Sequence, residues 1–368
     1  MTKREAAFMA DAIELARRGR FTTSPNPAVG CVITQGDEIV GRGWHQWAGE
    51  AHAEVAALTE AGPRARGATA YVSLEPCSHF GKTPPCAERL VEAGIKRVVV
   101  AMRDPDSRVR GEGLSKLAAA GIETVSPCLE SEARGINPGY IKRTETGLPR
   151  VRLKLAMSLD GRTAMGSGES QWITGADARH EVQLLRAESC AIVTGIGSVL
   201  EDDPGLTVRT DEAAVDGRIR QPLRVVVDSQ LRTPVHARLL DEDGSVLIAT
   251  AAERCQAWEK LESRGAEIIS VGDSAGRVDL ESVVRELGQR GINEVLVEAG
   301  ATLAGGFLAR GLLDELIIFM APVVLGSNAR PLFELPELGR MADAIRFEIV
   351  ELRRVGNDCV LVVKPSRL

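Results

Sequence analysis

The sequence predicts two α/β domains, and three observations support this fold class. The chain has 368 residues, more than one ordinary domain contains. Short β-branched runs alternate with helical segments in both halves of the chain, which is typical of layered α/β folds. A stretch rich in Gly and Pro, residues 135–149, separates the halves and reads as a connector. We therefore place the domains at residues 1–146 and 147–368.

The first half predicts a regular alternation of elements after an N-terminal helix. Apolar residues at helical spacing indicate a helix over 4–19, with Gly19 as its stop. Two β-branched runs around Gln35-Gly36-Asp37-Glu38 indicate a hairpin. The remaining segments are a helix over 52–61, a strand over 69–74, a helix over 85–93, a strand over 97–102, a helix over 112–120 and a strand over 122–125.

The second half repeats the alternation and ends in a hairpin. A strand begins at Arg150 and is followed by a turn at Asp160-Gly161. Helices are predicted over 176–188, 252–263, 280–290 and 301–310, and strands over 191–194, 224–227, 245–249, 267–271, 294–298 and 315–322, with a loop at 195–197 and a hairpin over 347–365. This pattern predicts a second α/β domain.

Composition excludes several classes of protein. A net charge of −6 and an aromatic content of 4% argue against a nucleic-acid-binding surface. The longest apolar run, 316–325, is too short to span a membrane and contains Pro322, and the charged N-terminus does not resemble a signal peptide. Seven scattered cysteines are typical of a reducing compartment. We expect a soluble, cytoplasmic protein.

The chemistry centres on His52-Ala53-Glu54, Cys77 and Cys86. One imidazole and two thiolates can hold Zn²⁺ with a fourth position open for water, and Glu54 would lie beside the metal as an acid and base. Nucleobase deaminases carry the signature H-x-E…P-C-x-x-C, but here eight residues separate the two cysteines. His52 and Cys86 lie at predicted helix N-termini, where the helix dipole favours thiolates.

Three simpler interpretations remain open on this pattern. The H-x-E triplet is short enough to occur by chance at a helix start, and the two cysteines could be buried thiols. A structural zinc site would need four protein ligands, and His79 could supply the fourth. That arrangement would close the site to substrate and would give Glu54 no role.

Several longer segments carry a family resemblance. SPNPAVGCVI, AGEAHAEVAAL, YVSLEPCSHFGKTPPC and VVVAMRDP lie in the first half, and LKLAMSLDGRTA, GESQWIT, EDDPGLTVR and VEAGATLAGGFL in the second. Together they resemble the bifunctional deaminase/reductase family of riboflavin biosynthesis, which has its own spacing between the cysteines. The resemblance implies a cytidine-deaminase-like α/β/α domain followed by a dihydrofolate-reductase-like α/β domain.

The resemblance also implies a substrate and site residues for the first domain. The domain would remove the 2-amino group of 2,5-diamino-6-ribosylamino-4(3H)-pyrimidinone 5′-phosphate, with Zn²⁺ on His52, Cys77 and Cys86 and with Glu54 moving protons. Substrate contacts are implied for four further positions, Asn26, His45, Lys82 and Asp104. Without the resemblance, each of these could equally be a turn residue or a solvated charge.

For the second domain the resemblance implies reduction of the ribosyl side chain to ribityl with NADPH. Implied substrate contacts are Lys154, Ser170, Arg186, Leu206, Arg209 and Glu298, of which the two arginines suit a phosphate. Implied cofactor contacts are Ala156, Trp172, Ser198, Asp202, Ser229, Gly300, Ala301, Thr302, Leu303, Ala304, Gly305 and Gly306. A homo-oligomer formed through this domain is expected.

Two glycine clusters could meet the cofactor. Gly195 and Gly197 begin like a dinucleotide fingerprint, but Leu200 occupies the third glycine position and Asp228 lies too far along the chain to bind the ribose. Residues 300–306 follow a strand and open a helix, which suits a pyrophosphate, although tight strand–helix packing explains the glycines equally well.

Two other functions stay open at this level. One is a different nucleobase deaminase joined to an unrelated reductase. The other is a zinc-stabilised scaffold that binds a nucleotide without chemistry, in which Glu54 would be expendable.

Overall fold

The chain folds into two compact units, Met1–Gly147 and Leu148–Leu368. The structure is a computed structural model, and it describes residues 2–78, 84–107 and 109–366. Within those residues, no helix is both long and apolar enough to cross a membrane.

The first unit has one five-stranded sheet with helices on both faces. Its elements are α1 Lys3–Arg17, β1 Gly30–Gln35, β2 Glu38–Trp44, α2 Ala53–Ala61, β3 Thr69–Val72, α3 Cys86–Glu92, β4 Arg97–Val100, α4 Glu112–Ala119, β5 Glu123–Val125, α5 Glu130–Arg134 and α6 Pro138–Thr146. The strand order is β2-β1-β3-β4-β5, with β1 antiparallel to both of its neighbours and β3, β4 and β5 parallel. The predicted α/β/α layering is confirmed.

Apolar side chains alternate between the two faces of this sheet because successive strand residues point to opposite sides. One core contains Ala57 of α2, Leu90 of α3 and Leu117 of α4. The opposite core contains Met9 of α1 and Ile141 of α6. Helices cover both cores, so the predicted site residues at the helix ends are supported by packed side chains.

Glycines on β2 bring α2 close to the sheet. A Cβ atom at Gly43 would lie 2.2 Å from the carbonyl oxygen of Ala53, and one at Gly41 would lie 2.3 Å from that of Ala57. Only residues without a side chain allow this approach, since real Cβ contacts are never so short. The two glycines therefore set the short distance between α2 and the sheet. The first residues of α2 carry the predicted zinc chemistry.

Two sequence predictions for this unit were wrong. The first helix ends at Arg17, and Gly19 lies inside a short 3-10 turn instead of stopping the helix. The predicted connector over 135–149 is largely α6, which Pro138 begins and Gly147 terminates with a φ of 77°. Pro and Gly suggested a linker, but proline suits a first helical turn and glycine suits a left-handed C-cap.

The second unit has a nine-stranded sheet. Its elements are β6 Arg150–Met157, β7 Arg162–Ala164, α7 Ala176–Glu188, β8 Ala191–Gly195, α8 Ile196–Asp202, β9 Leu223–Val227, β10 Val246–Thr250, α9 Gln256–Ser263, β11 Ala266–Ser270, α10 Leu280–Gln289, β12 Glu294–Glu298, α11 Ala301–Ala309, β13 Glu315–Met320, β14 Arg330–Pro331, β15 Phe347–Val355 and β16 Asp358–Pro365. The strand order is β11-β10-β9-β8-β12-β6-β13-β16-β15, and β7 pairs separately with β14.

Seven neighbouring strands of the large sheet are parallel, from β11 to β13. In the closing hairpin, β16 pairs antiparallel with both β13 and β15. Ligand sites in open parallel sheets lie at the carboxyl ends of the strands. Here the ends of β9, β8, β12 and β6 meet in that order, which brings together residues far apart in sequence. The predicted loop at 195–197 was wrong, because α8 begins directly at Ile196.

Candidate functional site

His52, Cys77 and Cys86 meet at one point of the first unit. His52 is the N-cap residue of α2, and Cys86 is the first residue of α3. Nδ1 of His52 lies 3.3 Å from Sγ of Cys86 and 3.7 Å from Sγ of Cys77. Sulfur and nitrogen ligands on a tetrahedral Zn²⁺ lie about 3.5–3.8 Å apart, given the usual bond lengths. The donor set therefore fits zinc both in chemistry and in spacing.

This cluster is the one group of potential metal ligands found among the described residues. It has three protein ligands, as a catalytic zinc site requires. His79, the alternative fourth ligand, lies outside the described residues, as does Lys82.

The thiols of Cys77 and Cys86 are hydrogen-bonded to each other, which shifts their pKa values in opposite directions. The pKa of Cys77 falls to about 4 because its sulfur accepts hydrogen bonds from the Cys86 thiol and from His52, and also from the backbone N–H of Cys86 at 3.3 Å. The pKa of Cys86 rises because it donates to Cys77 and is buried. Metal binding would release the proton of the Cys86 thiol, since zinc binds thiolates.

Glu54 lies in the first turn of α2 and is almost fully buried. Burial, followed by the nearby charge of Cys77, raises the pKa of its carboxyl group. A buried carboxyl group with a raised pKa accepts a proton more readily than an exposed one, which suits a group that takes up a proton and returns it. Its side chain is not part of the three-ligand cluster, as the sequence predicted.

Asn26 and His45 are brought together beside the metal ligands. Nδ2 of Asn26 lies 3.1 Å from Nε2 of His45, and Nδ1 of His45 lies 3.0 Å from the carbonyl oxygen of Ala51. The rings of His45 and His52 pack edge to face with centroids 5.1 Å apart. Burial lowers the pKa of His45, which favours a neutral ring that donates to Ala51 and accepts from Asn26.

Asp104 is buried after β4 and is held by two donors. Its Oδ1 accepts hydrogen bonds from the backbone N–H of Asp106 at 2.9 Å and from the Tyr140 hydroxyl at 3.0 Å. Burial raises the pKa of Asp104 to about 6, and these hydrogen bonds oppose the rise. The group therefore titrates within the physiological range.

Glu75, which the sequence interpretation did not single out, connects the loop of Asp104 to the cysteine loop. This buried carboxylate accepts from the backbone N–H groups of Asp104 at 3.2 Å, Gly111 at 3.0 Å and Leu114 at 3.2 Å. A charged residue directly before Pro76-Cys77, at the end of an apolar strand, was the available signal. Three convergent amides explain why a carboxylate is tolerated there.

The second unit has a largely buried charge cluster where the carboxyl end of β12 pairs with β6. Lys154 and Glu298 are paired in register on these neighbouring strands. Arg186 of α7 forms two hydrogen bonds with Glu298, from Nε at 2.6 Å and from an Nη at 2.9 Å, and a third with the carbonyl oxygen of Thr207 at 3.2 Å. Burial lowers the pKa of Lys154, whereas Glu298 opposes this change.

The other predicted substrate contacts surround this cluster. Arg186 is hydrogen-bonded to Glu298 and Thr207, and its predicted contact with the phosphate stays a prediction. Arg209 is exposed, and its charge helps to lower the pKa of Glu298, so it lies nearby. Leu206 buries its side chain in a left-handed backbone conformation, so a contact with substrate would come from its main chain. Ser170 lies in a partly exposed turn before α7.

Most predicted cofactor contacts follow the same edge of the sheet. Ala156 lies in β6, Ser198 and Asp202 lie in α8, Ser229 follows β9, and Gly300 caps α11. Trp172 is 70% exposed, with the guanidinium of Arg179 4.8 Å above its ring. Since β8 and β12 are neighbours, the N-termini of α8 and α11 lie side by side, and their free amides suit an anionic ligand.

Part of the 300–306 segment serves packing. Ala304 is fully buried in the core, and a Cβ at Gly305 would lie 1.9 Å from the carbonyl oxygen of Glu334. Ala304 and Gly305 therefore serve packing, and their predicted contacts with the cofactor stay predictions. The start of the helix, Gly300 to Thr302, is its more exposed part. Asp228 is also unsuited to a ribose, because it is fully buried and accepts from Thr233.

Comparison with known proteins matches each unit of the chain to a protein family. The family described as cytidine and deoxycytidylate deaminase zinc-binding region matches residues 2–102, and the RibD C-terminal domain family matches residues 149–361. Riboflavin biosynthesis protein RibD from Escherichia coli is 51% identical over 96% of this chain and 97% of its own length. The same protein from Haemophilus influenzae is 46% identical over 99% and 98%.

Solved structures give the same result. Acinetobacter baumannii RibD superposes with a TM-score of 0.92 at 44% identity and covers 99% of each chain. A Thermotoga maritima diaminohydroxyphosphoribosylaminopyrimidine deaminase/5-amino-6-(5-phosphoribosylamino)uracil reductase superposes with a TM-score of 0.86 at 32% identity, also over 99% of each chain. The chain therefore belongs to the RibD family of riboflavin biosynthesis proteins.

Proposed function

We propose that this chain deaminates 2,5-diamino-6-ribosylamino-4(3H)-pyrimidinone 5′-phosphate and then reduces the ribosyl side chain of the product to ribityl. The observation that carries the proposal is the three-ligand cluster with the buried Glu54 beside it, in a chain whose second unit belongs to the RibD reductase family. A scaffold without chemistry would have no use for a buried carboxyl group with a raised pKa next to this three-ligand cluster.

In the first unit His52, Cys77 and Cys86 would hold Zn²⁺, which when bound activates a water molecule for attack on the ring carbon that bears the amine. Glu54 would accept a proton from that water and pass protons to the ring nitrogen and to the departing ammonia. Asn26, oriented by His45, offers a carbonyl oxygen to the pyrimidine edge.

The remaining deaminase contacts follow from charge. Asp104 can accept hydrogen bonds from amino groups of the heterocycle, and Lys82, by the family resemblance, would bind the phosphate. Substrate binding would then use one rigid amide, one carboxylate and one cation.

In the second unit NADPH would supply the hydride for C1′ of the opened sugar. Glu298 accepts two hydrogen bonds from Arg186, which hold it ionised, so it is a poor proton donor. Lys154, whose pKa burial lowers, is better suited to deliver a proton to the ring oxygen as the sugar opens. Arg209, exposed at the rim, would bind the phosphate.

The cofactor would lie across the carboxyl ends of β9, β8, β12 and β6. Ala156, Ser198, Asp202 and Ser229 border that path, and the first turn of α11 offers amides to the pyrophosphate. Trp172 would cover an exposed face of the cofactor, since a large aromatic ring exposed beside a site gains by stacking.

Glu54→Gln tests the deaminase assignment. The variant should retain zinc but lose about 100-fold or more of its ammonia release, because an amide cannot carry the proton. Glu60→Gln is a matched control, since Glu60 is an exposed carboxylate on the same helix. Reduction of presupplied deaminated substrate should continue in both variants. Ammonia release by Glu54→Gln at the wild-type rate would refute the assignment.

Lys154→Ala tests the reductase assignment. We expect NADPH oxidation to fall by about 100-fold or more while ammonia release is unchanged. Cytidine supplied in place of the diaminopyrimidine should not be deaminated. Turnover of cytidine would instead favour a different nucleobase deaminase, and loss of both activities in Lys154→Ala would argue against two independent sites.

We also propose a cytoplasmic homo-oligomer formed through the second unit. β15 is the last strand of its sheet and exposes three apolar side chains, Ile349 (69%), Leu352 (64%) and Val350 (52%). An exposed apolar edge strand can pair with a second copy of itself around a two-fold axis. Ile349→Lys should lower the molar mass measured by light scattering to that of the monomer, whereas an unchanged mass would refute this interface.

A further inference from the structure

We propose that α6 positions the deaminase substrate contacts, with Asn137 and Tyr140 as positioning residues. This inference rests on the proposed deaminase function. The zinc-binding family match ends at residue 102, well before this helix. The helix nevertheless contacts both loops that carry the substrate-facing residues Asn26 and Asp104.

Asn137, directly before α6, holds the loop of Asn26. Its Oδ1 accepts from the backbone N–H of Ala28 at 2.8 Å, and its Nδ2 donates to the carbonyl oxygen of the same residue at 2.8 Å. One amide side chain thus satisfies both main-chain groups of Ala28, as a neighbouring strand would. Only Pro27, whose φ is fixed by its ring, separates Ala28 from Asn26. The clamp therefore limits where the amide of Asn26 can lie.

The position of the Asn26 side chain depends on its hydrogen bond with His45, which is itself held in place. Its Nδ2 meets Nε2 of His45, which is buried beside the metal ligand His52. With its amino group used in this way, Asn26 presents its carbonyl oxygen to a ligand. A shift of the loop would break this orientation without touching any metal ligand.

Tyr140, one helical turn after Asn137, holds the second loop. Its hydroxyl donates to Oδ1 of Asp104 at 3.0 Å. Asp104 also accepts from the backbone of Asp106, so two donors fix one carboxylate oxygen. Ile141, the next residue, is buried in the core beneath the sheet and keeps the helix in place.

One turn of α6 therefore keeps two separate loops at a constant distance from each other. If both Asn26 and Asp104 contact the heterocycle, as proposed above, their relative position affects how well substrate fits. Neither Asn137 nor Tyr140 is part of the metal cluster found among the described residues. Their loss should weaken substrate binding more than it slows the chemical step.

The test measures KM and kcat for ammonia release from the diaminopyrimidine ribotide, together with zinc content and reductase activity. Asn137→Ala should raise KM about tenfold, since two hydrogen bonds are lost, while kcat falls less than about threefold. Tyr140→Phe keeps the ring and removes one hydrogen bond, so it should raise KM by a smaller factor. Zinc content and NADPH oxidation should match the wild type in both variants. Glu145→Gln, an exposed change on the same helix, should leave all values unchanged.

Three results would overturn the inference. One is a KM within about twofold of wild type in both variants. Another is a fall in kcat at constant KM. The third is a loss of zinc in parallel with activity, which would make α6 a support of the metal site. If Asn137→Ala does not fold, Tyr140→Phe alone decides between these outcomes. Failure of the proposed function is distinct, because the wild-type protein would then release no ammonia.

Discussion

Replacing Arg186 with alanine would leave the Glu298 carboxylate buried without its main partner. The pair is bidentate, with distances of 2.6 and 2.9 Å, and the two side chains are only 12% and 11% exposed. The same substitution removes the hydrogen bond from Arg186 to the carbonyl oxygen of Thr207. Lys154 remains near Glu298 but is itself buried and cannot replace the two parallel hydrogen bonds.

The expected cost follows from this burial. Removing one partner of a buried pair destabilises a protein by about 3–5 kcal/mol, because the other charge stays uncompensated. An exposed pair in the same unit contributes at most about 1 kcal/mol. Arg254 and Glu262 form such a pair at 2.8 Å with side chains 61% and 39% exposed, so Arg254→Ala is the matched control.

The destabilisation caused by Arg186→Ala should depend on pH, because the pKa of Glu298 differs between the folded and unfolded states. Burial alone would raise the pKa of Glu298, but Arg186 and Lys154 hold it below the usual value. In the wild type this depressed pKa contributes stability that is present above the unfolded pKa of about 4.3 and is lost as the pH falls through the folded value. In Arg186→Ala burial dominates and the pKa of Glu298 rises, so the variant is penalised most at neutral and higher pH.

Urea unfolding of the second unit, followed near pH 8 and near pH 4.5, measures both the loss of stability and its dependence on pH. We expect the free energy of unfolding to fall by about 3–5 kcal/mol near pH 8 and by clearly less near pH 4.5. A difference below about 1 kcal/mol at both pH values, matching Arg254→Ala, would refute the view that this pair is a buried and coupled charge cluster.

Three further predictions concern the first unit. Gly43→Ala should destabilise the first unit by about 1–3 kcal/mol and lower ammonia release, because the new Cβ would lie 2.2 Å from the Ala53 carbonyl oxygen and displace the start of α2. Thermal unfolding measures the loss of stability, and the deaminase assay measures the loss of activity. If the ionised form of Asp104 binds substrate, kcat/KM for deamination should fall as the pH drops through about 6. Tyr140→Phe should shift this fall in kcat/KM to higher pH, because the lost hydrogen bond favours the ionised form of Asp104. A pH profile that Asp104→Asn leaves unchanged would contradict this prediction. Chelation of zinc should abolish ammonia release while NADPH oxidation continues, and equal loss of both activities would contradict separate sites.

The proposed zinc ligands and proton carrier could be singled out from sequence because most of them lie at helix starts. His52 and Glu54 are adjacent to the first turn of α2, and Cys86 begins α3, so local pattern alone fixed their structural context. The alternation of strands and helices was equally readable, since it depends on the periodicity of apolar residues. The segment that forms α6 was predicted wrongly as a linker, because it begins with Pro138 and is followed by Gly147, and both residues are common in linkers.

Partnerships between distant residues required the tertiary structure. Arg186 looked like a free phosphate ligand, and only the packing of α7 against β12 revealed its two hydrogen bonds with Glu298, 112 positions away. Gly305 looked like part of a cofactor loop, but the carbonyl oxygen of Glu334 fills the space where a side chain would be.

By itself, the sequence determined the fold class and predicted the metal ligands and the proton carrier, because these depend on residue type and local spacing. Only the tertiary structure decided that Asn137 and Tyr140 reach the loops of Asn26 and Asp104, and that Glu75 connects Asp104 to the cysteine loop. The physical reason is that a buried polar group must find a partner, and the fold determines which distant residue supplies it.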